Sequence, residues 1–395
     1  MKKYLFLFCF IIYCIINSFG QENNAGISLK KQKKILKKAK KDSIRDKNIA
    51  NGKLLITPFI TPGYTPELGG IAAVGALLSF KTNKKDTLIQ RSSFPFSVGY
   101  TSTGAIVLYS VLTSYWFKDK IRINGNFTFK NMPDHYWGIG YQSAYNTNKS
   151  DSTTLYMRKW WQINPRIFYH VKQNYLLGLN VDFNYTNGSD AALPVASDSV
   201  YIKYNHLPFN VGLGFILRFD TRDIPVNPHS GILIDFRSTF YSKKLGGDND
   251  YLICSIDYRQ FKTLKRKGHV LALQFKARFA KGEVPYGEMS QLGTPWDLRG
   301  YLWGRYRNEE MAFVLGEYRH TFSKKNGLLS KHGVVAWLGA GAIYNLNNLD
   351  EKNNKILPNG GFGYRFEVQP RMNVRLDIGF GRKSSGIYFN FNEAF

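Results

Sequence analysis

From Leu54 to the last residue, apolar and polar side chains alternate with a period of two. In Met372-Asn373-Val374-Arg375-Leu376-Asp377-Ile378-Gly379-Phe380, every even position is apolar and every odd one is polar or glycine. Phe362, Tyr364, Phe366 and Val368 alternate with Gly361, Gly363, Arg365 and Glu367, and Ile121, Ile123, Phe127 and Phe129 with Arg122, Asn124, Thr128 and Lys130. A strand turns successive side chains to opposite faces, so this pattern demands two-faced strands. The repeats run about ten residues, the length of a tilted membrane-spanning strand and longer than the usual strand of a soluble sheet. One face is rich in Phe, Tyr, Ile and Leu and the other in charge. A lipid-facing apolar side and a polar enclosed lumen satisfy both faces at once.

Sixteen strands follow, near 54–64, 69–81, 92–101, 104–117, 120–130, 153–170, 174–186, 203–219, 231–242, 251–263, 268–280, 310–322, 333–345, 360–369, 371–381 and 386–395. An even number closes an antiparallel barrel with both ends in the periplasm. The long connections, 131–152, 187–202, 282–309 and 346–359, all follow odd-numbered strands, which puts them outside the cell. The expected fold is therefore all-β, a 16-stranded antiparallel transmembrane barrel over 54–395, preceded by a short basic segment.

The first 53 residues differ in kind. Met1–Gly20 has Lys2 and Lys3, an apolar stretch from Tyr4 to Ile16, and Ser18-Phe19-Gly20, the three parts of a secretory signal peptide. Cys14 follows Ile12-Tyr13, so a lipidation site is not expected. Only Cys254 then remains, which excludes an internal disulfide and a cysteine-based zinc site. Residues 21–53 form a basic periplasmic arm in which Lys30, Lys31, Lys33, Lys34, Lys37, Lys38, Lys40 and Lys41 crowd together. It reads either as a solvated tail or as a docking arm for acidic headgroups or an acidic protein face. The whole chain has 54 Lys and Arg against 28 acids, a formal charge of +26. For an exported chain that excess suits anionic lipid or acidic proteins, and nucleic acid is not an expected partner.

No Gly-x-Ser-x-Gly elbow, phosphate loop or His-Glu-x-x-His is present, and the seven histidines are scattered singly. Neither catalysis nor a metal or other cofactor is expected. Charged residues of the polar face, such as Asp257, Arg259, Arg375 and Asp377, are expected to form cross-strand ion ladders.

Three segments resemble the BamA/TamA superfamily of outer-membrane assembly and transport barrels, the bacterial surface antigen family. Gly214–Gly231 reads GFILRFDTRDIPVNPHSG, similar to that family's strand and periplasmic turn, with Asp220, Arg222, Asp223, Pro228 and Gly231 in the turn. Leu298-Arg299-Gly300-Tyr301 resembles the family's signature in its sixth outer loop. The end of the chain, with Tyr388, Phe389, Phe391 and Phe395, is similar to the last strands that act as an assembly signal. The resemblance implies a cell-outer-membrane protein of a Gram-negative bacterium, in a bilayer containing lipopolysaccharide and alongside other assembly or envelope proteins. It also implies that Arg299 folds into the lumen and pairs with Glu317. A second acid is expected in an aromatic-x-Asp-x-Gly strand, but Trp337-Leu338-Gly339-Ala340-Gly341 has Gly339 there, so half of the anchor is expected to be missing. Family members usually carry periplasmic POTRA domains, and 21–53 has no room for one.

Three functions follow from this reading: assembly or translocation through a weak seam between the first and last strands, a non-catalytic partner subunit of an envelope complex, or a plugged diffusion pore. Pro58 and Pro62 in the first strand lack ladder donors, which favours a weak seam.

Overall fold

The computed structural model describes residues 51–395 except 85, 87, 88, 266 and 347–354, together with Leu36, Ser43 and Asn48. The expected signal peptide and the lysines from Lys30 to Lys41 lie outside the described residues.

The first half of the barrel comprises β1 (Leu55–Thr65), β2 (Gly69–Phe80), β3 (Ser92–Thr101), β4 (Ile106–Trp116), β5 (Ile121–His135), β6 (Leu155–Lys172), β7 (Tyr175–Ser189) and β8 (Phe209–Asp220). Then come β9 (Gly231–Tyr241), β10 (Tyr251–Thr263) and β11 (His269–Gly282). Two short strands, β12 (Ser290–Leu292) and β13 (Tyr306–Asn308), lie within the following connection. The chain finishes with β14 (Glu310–Ser323), β15 (Leu329–Tyr344), β16 (Leu357–Gln369), β17 (Met372–Gly381) and β18 (Ser384–Phe391). Sixteen strands close into one antiparallel barrel, while β12 and β13 pair only with each other.

The two faces divide as the alternation requires. Outward residues such as Ile60 and Leu338 are 79% and 77% exposed, whereas Glu317, Arg375 and Asp377 are wholly buried inside. Apolar outside and charged inside reverses the arrangement of a soluble protein, and lipid is the solvent that makes it favourable. No described helix is long and apolar enough to cross a membrane.

Five expectations need correction or refinement. The eighth barrel strand begins at Phe209 and not at 203, because Ser199–Asn205 is helical and Asp198 caps it by accepting from the backbone N–H of Val200 and Tyr201. β5 runs on to His135 and β15 begins at Leu329, each some four residues beyond the alternating core of the strand. The last strand stops at Phe391, since Asn392 takes a left-handed conformation (φ 63°) that turns residues 393–395 inward. The expected cross-strand ion pairs are present, as in Arg158–Asp134 (3.3 Å) and Arg218–Asp235 (2.5 Å), but about as many pairs lie within one strand. Arg259 pairs with Asp257 at 2.7 Å and Arg375 with Asp377 at 3.0 Å, each two residues along the same face, and Arg365–Asp377 (2.5 Å) crosses between strands.

Candidate functional site: the inner loop and the seam

Residues 283–309 leave β11 at the outer end and fold back into the lumen. Asp297 shapes the turn by accepting from the N–H of Gly293 (2.9 Å), the N–H of Thr294 (2.8 Å) and the Thr294 hydroxyl (2.6 Å). Burial raises its carboxyl above the usual carboxylate range despite these donors. The turn presents Leu298, Arg299, Gly300 and Tyr301, all buried, to the wall made by β14–β18.

Arg299 is anchored on two acids. Its guanidinium pairs with Glu317 of β14 and, at 2.7 Å, with Asp377 of β17, and it lies 3.6 Å from the centroid of the Trp337 ring. The anchor is therefore complete, and the expectation of a missing half is overturned. An aspartate at 339 would not fit this wall, because a Cβ there would meet the Val314 carbonyl oxygen and Leu315 Cδ2, both at 2.4 Å. The second acid comes from β17 instead. Its signal was present in the sequence as Asp377-Ile378-Gly379, an Asp-x-Gly without the preceding aromatic. Gly379 is needed for close approach, since a Cβ would lie 2.3 Å from the Arg299 carbonyl oxygen. Gly381 likewise leaves room for the Tyr301 ring.

The last strand supplies the rest of the hold. Tyr388, expected as part of an assembly signal, points inward and its hydroxyl accepts from Gly300 N–H at 2.8 Å. Ser384 donates to the Gly300 carbonyl, and Tyr301 donates to the Pro358 carbonyl at 2.7 Å. Beyond β18, Glu393 pairs with Arg365 (2.8 Å), which itself holds Asp377. Arg319 bonds Glu317 and, at 2.8 Å, the carbonyl oxygen of Phe395. Loop tip and inward-turned tail thus share the same buried carboxylates. Phe395, by the strand's parity destined for the lipid face, is buried near Phe261. Phe389 and Phe391 remain on the outward side of β18.

At the opposite end, turn 221–230 lies across the mouth. Asp220 is held by Arg222 (2.8 Å), and Asp223 accepts from His229 N–H (3.0 Å) and pairs with Arg371 (2.5 Å) in the turn between β16 and β17. Burial would raise the Asp223 carboxyl, but backbone N–H groups and Arg371 hold it below the usual range. Pro228 is buried, and Gly231 has φ 102°, where an added Cβ would lie 2.3 Å from the Thr221 carbonyl oxygen. Between the loop and β5–β6 a cavity of about 240 Å³ remains, lined by Lys130, Arg158, Trp160 and Glu288 among others.

The barrel closes by pairing β1 with β18, and this seam is sparse. Only Tyr64 and Phe389 are in register there, whereas β1 and β2 are paired along their full length from Leu55 to Thr65. Pro58 and Pro62 deprive β1 of two N–H donors.

The sequence pattern of the Omp85 superfamily domain matches residues 90–395. Solved structures with the same fold include BamA from Haemophilus ducreyi lacking POTRA domains 1–3, with TM-score 0.58 and 13% identity over 86% of this chain and 70% of that one. CdiB from Acinetobacter baumannii matches with TM-score 0.55 and 11% identity, and CdiB from Escherichia coli with TM-score 0.60 and 10% identity. These alignments take in 86% and 85% of this chain but only 59% and 62% of the CdiB chains. No curated protein sequence matches.

Proposed function

Because this chain belongs to the Omp85 superfamily and sits in the outer membrane of a Gram-negative bacterium, we propose that it assembles or translocates outer-membrane proteins by parting β1 from β18. The observation that carries this reading is the single register pair at the seam. A parted seam presents two strand edges whose free N–H and C=O groups can pair with an incoming strand. In this reading the loop 283–309 is a plug, locked by Arg299 on Glu317 and Asp377, that keeps the lumen closed while the seam works. The lysine-rich arm of residues 30–41 serves as a tether to anionic headgroups or to an acidic partner.

The diffusion-pore reading is weaker, because the loop folds into the lumen against β14–β18 and turn 221–230 reaches across the mouth to Arg371. The partner-subunit reading rests on the arm, and deleting 28–53 tests it by whether co-purifying proteins are lost. The test of the main proposal is a disulfide between positions 64 and 389, made with Tyr64→Cys and Phe389→Cys. The oxidised protein should stay in the membrane but lose assembly activity, with recovery on reduction. Full activity in the stapled form would end the lateral-opening proposal.

A further inference from the structure

The geometry points to a binding site for the phosphate of an anionic glycerophospholipid at the periplasmic rim, between the β4–β5 and β6–β7 turns. It depends on the barrel's orientation in the outer membrane and not on the seam.

The two turns are joined side by side, because His170 N–H donates to the Lys120 carbonyl at 3.0 Å and Ile121 stands opposite Tyr169. Between them lies a concave pocket of about 420 Å³ lined by Lys118, Asp119, Lys120, Arg122, His170 and Lys172, among others. Asp119 is consumed by a two-pronged pair with Arg122, both bonds 2.7 Å. Lys118, Lys120 and Lys172 are exposed and form no ion pair among the described residues. The pocket therefore carries three lysines with no counter-charge.

Two lysines of the outer end show what a matched arrangement looks like. There Lys243 pairs with Glu283 at 2.6 Å and Lys203 with the same carboxylate at 3.4 Å. Exposed lysines that form no ion pair among the described residues also stand on other periplasmic turns, at Lys265, Lys267, Lys324 and Lys325, and at the outer end, at Lys149, Lys244 and Lys281, but none of these is among the residues that line this pocket.

Two further observations favour lipid over a free phosphate or an acidic protein. Phe117, Lys118 and Asp119 all have positive φ (52°, 58° and 67°). Three consecutive non-glycine residues in that region are strained, and such strain persists where the displayed side chains have a use. What the turn displays is Phe117, 72% exposed, beside the lysines. Trp116, Tyr169 and Tyr175 are also exposed, at the periplasmic ends of β4, β6 and β7, and Lys120 lies 5.7 Å from the Tyr169 ring centroid. Aromatic rings at the acyl boundary with ammonium groups just beyond them match the cross-section of a phospholipid headgroup.

The test is retention of dioleoylphosphatidylglycerol by the detergent-purified full chain, measured by native mass spectrometry against dioleoylphosphatidylcholine. Phosphatidylglycerol should be retained preferentially. The triple variant K118Q/K120Q/K172Q should lose roughly a hundredfold, at about fivefold per lysine beside an anionic headgroup, while K324Q/K325Q stays unchanged. Heat-modifiability on gels checks that each barrel is folded, and the single variant K120Q, with its fivefold loss, stands in should the triple one fail to fold. Phe117→Ser should weaken lipid retention as well. Equal retention of the two lipids, or an unaltered triple variant, overturns the proposal. So does displacement of the lipid by equimolar glycerol 3-phosphate, which would mark a free-phosphate site, or by polyglutamate, which would mark a protein-docking face.

Discussion

Along β18, the edge facing β17 is in register from Ser384 to Phe391, while the edge facing β1 has one register pair, Tyr64 with Phe389. The same few residues thus lie in a continuous sheet on one side and at a near-open joint on the other. The tip of the inner loop is fastened to the continuous side, through Glu317, Asp377, Pro358, Ser384 and Tyr388, whereas the segment that follows is held by the β5–β6 connection, where the Arg307 carbonyl accepts from Gly140 N–H at 2.9 Å and Arg305 donates to the Ala144 carbonyl at 3.0 Å. Its link towards β1 is the N–H of Trp303 on Glu67, 2.8 Å, just past that strand. The difference teaches that a parting seam would leave the loop tip with the C-terminal strands, while the bonds of residues 303–307 to Glu67, Ala144 and Gly140 would have to hold the other side or break.

That contrast can be broken at several points, the strongest first. Arg299→Ala removes two charge-assisted bonds in the lumen but leaves Glu317 with Arg319 and Asp377 with Arg365 and Arg375, and should cost about 3 kcal/mol, the low end of the usual penalty for breaking a buried pair. Chemical unfolding in detergent micelles would measure the loss, and single-channel recordings should become noisier as the loop escapes. An unchanged unfolding midpoint would mean that the loop is held by its glycine contacts and not by its charge.

Glu393→Gln addresses the tail, which Arg365 and the Asn373 amide hold. About 1–3 kcal/mol should be lost with a charged hydrogen-bond partner, and cleavage near Asn392 by carboxypeptidase should accelerate. Substituting Pro58→Ala and Pro62→Ala together restores two N–H donors to β1. A gain near 1 kcal/mol per ladder bond formed is expected, visible as a higher thermal midpoint and faster cross-linking between positions 64 and 389. The smallest effect concerns the mouth. The Asp223 carboxyl is held below its ordinary range, so its contribution is present above the unfolded value near 4 and fades as pH falls through the lower folded value. Limited proteolysis of turn 221–230 should therefore quicken only in acid, and Asp223→Asn should be equally sensitive at all pH values.

The barrel itself was legible because period-two alternation and bilayer thickness act on every strand, from Leu55 to Phe391, without reference to neighbours. The helix Ser199–Asn205 was not, since seven residues with one i,i+3 pair, Tyr201 and Tyr204, are too short to show a helical period, and only the Asp198 cap and the tyrosine cluster with Tyr136, Tyr156 and Tyr286 decide for helix. The Arg299–Glu317 pair could be anticipated from resemblance. Asp377 could not, because the choice of acid depends on which wall glycine lets the loop backbone approach, and Gly379 gains that role only once β17 lies beside the loop. The inward turn at Asn392 left no periodic trace, as a single left-handed residue is a local event fixed by the Arg365 and Arg319 groups that receive the tail.

The bend at Asn392 also sets a ruler. With the chain diverted into the lumen there, the free margin of β18 is the eight residues Ser384–Phe391. At about 3.3 Å per residue it is roughly 26 Å long, and at the usual tilt of about 40° it rises only about 20 Å, short of the roughly 25 Å apolar band of such barrels. A guest hairpin laid against this margin would meet a template shorter than the membrane it must enter, with no spare backbone on which to slip.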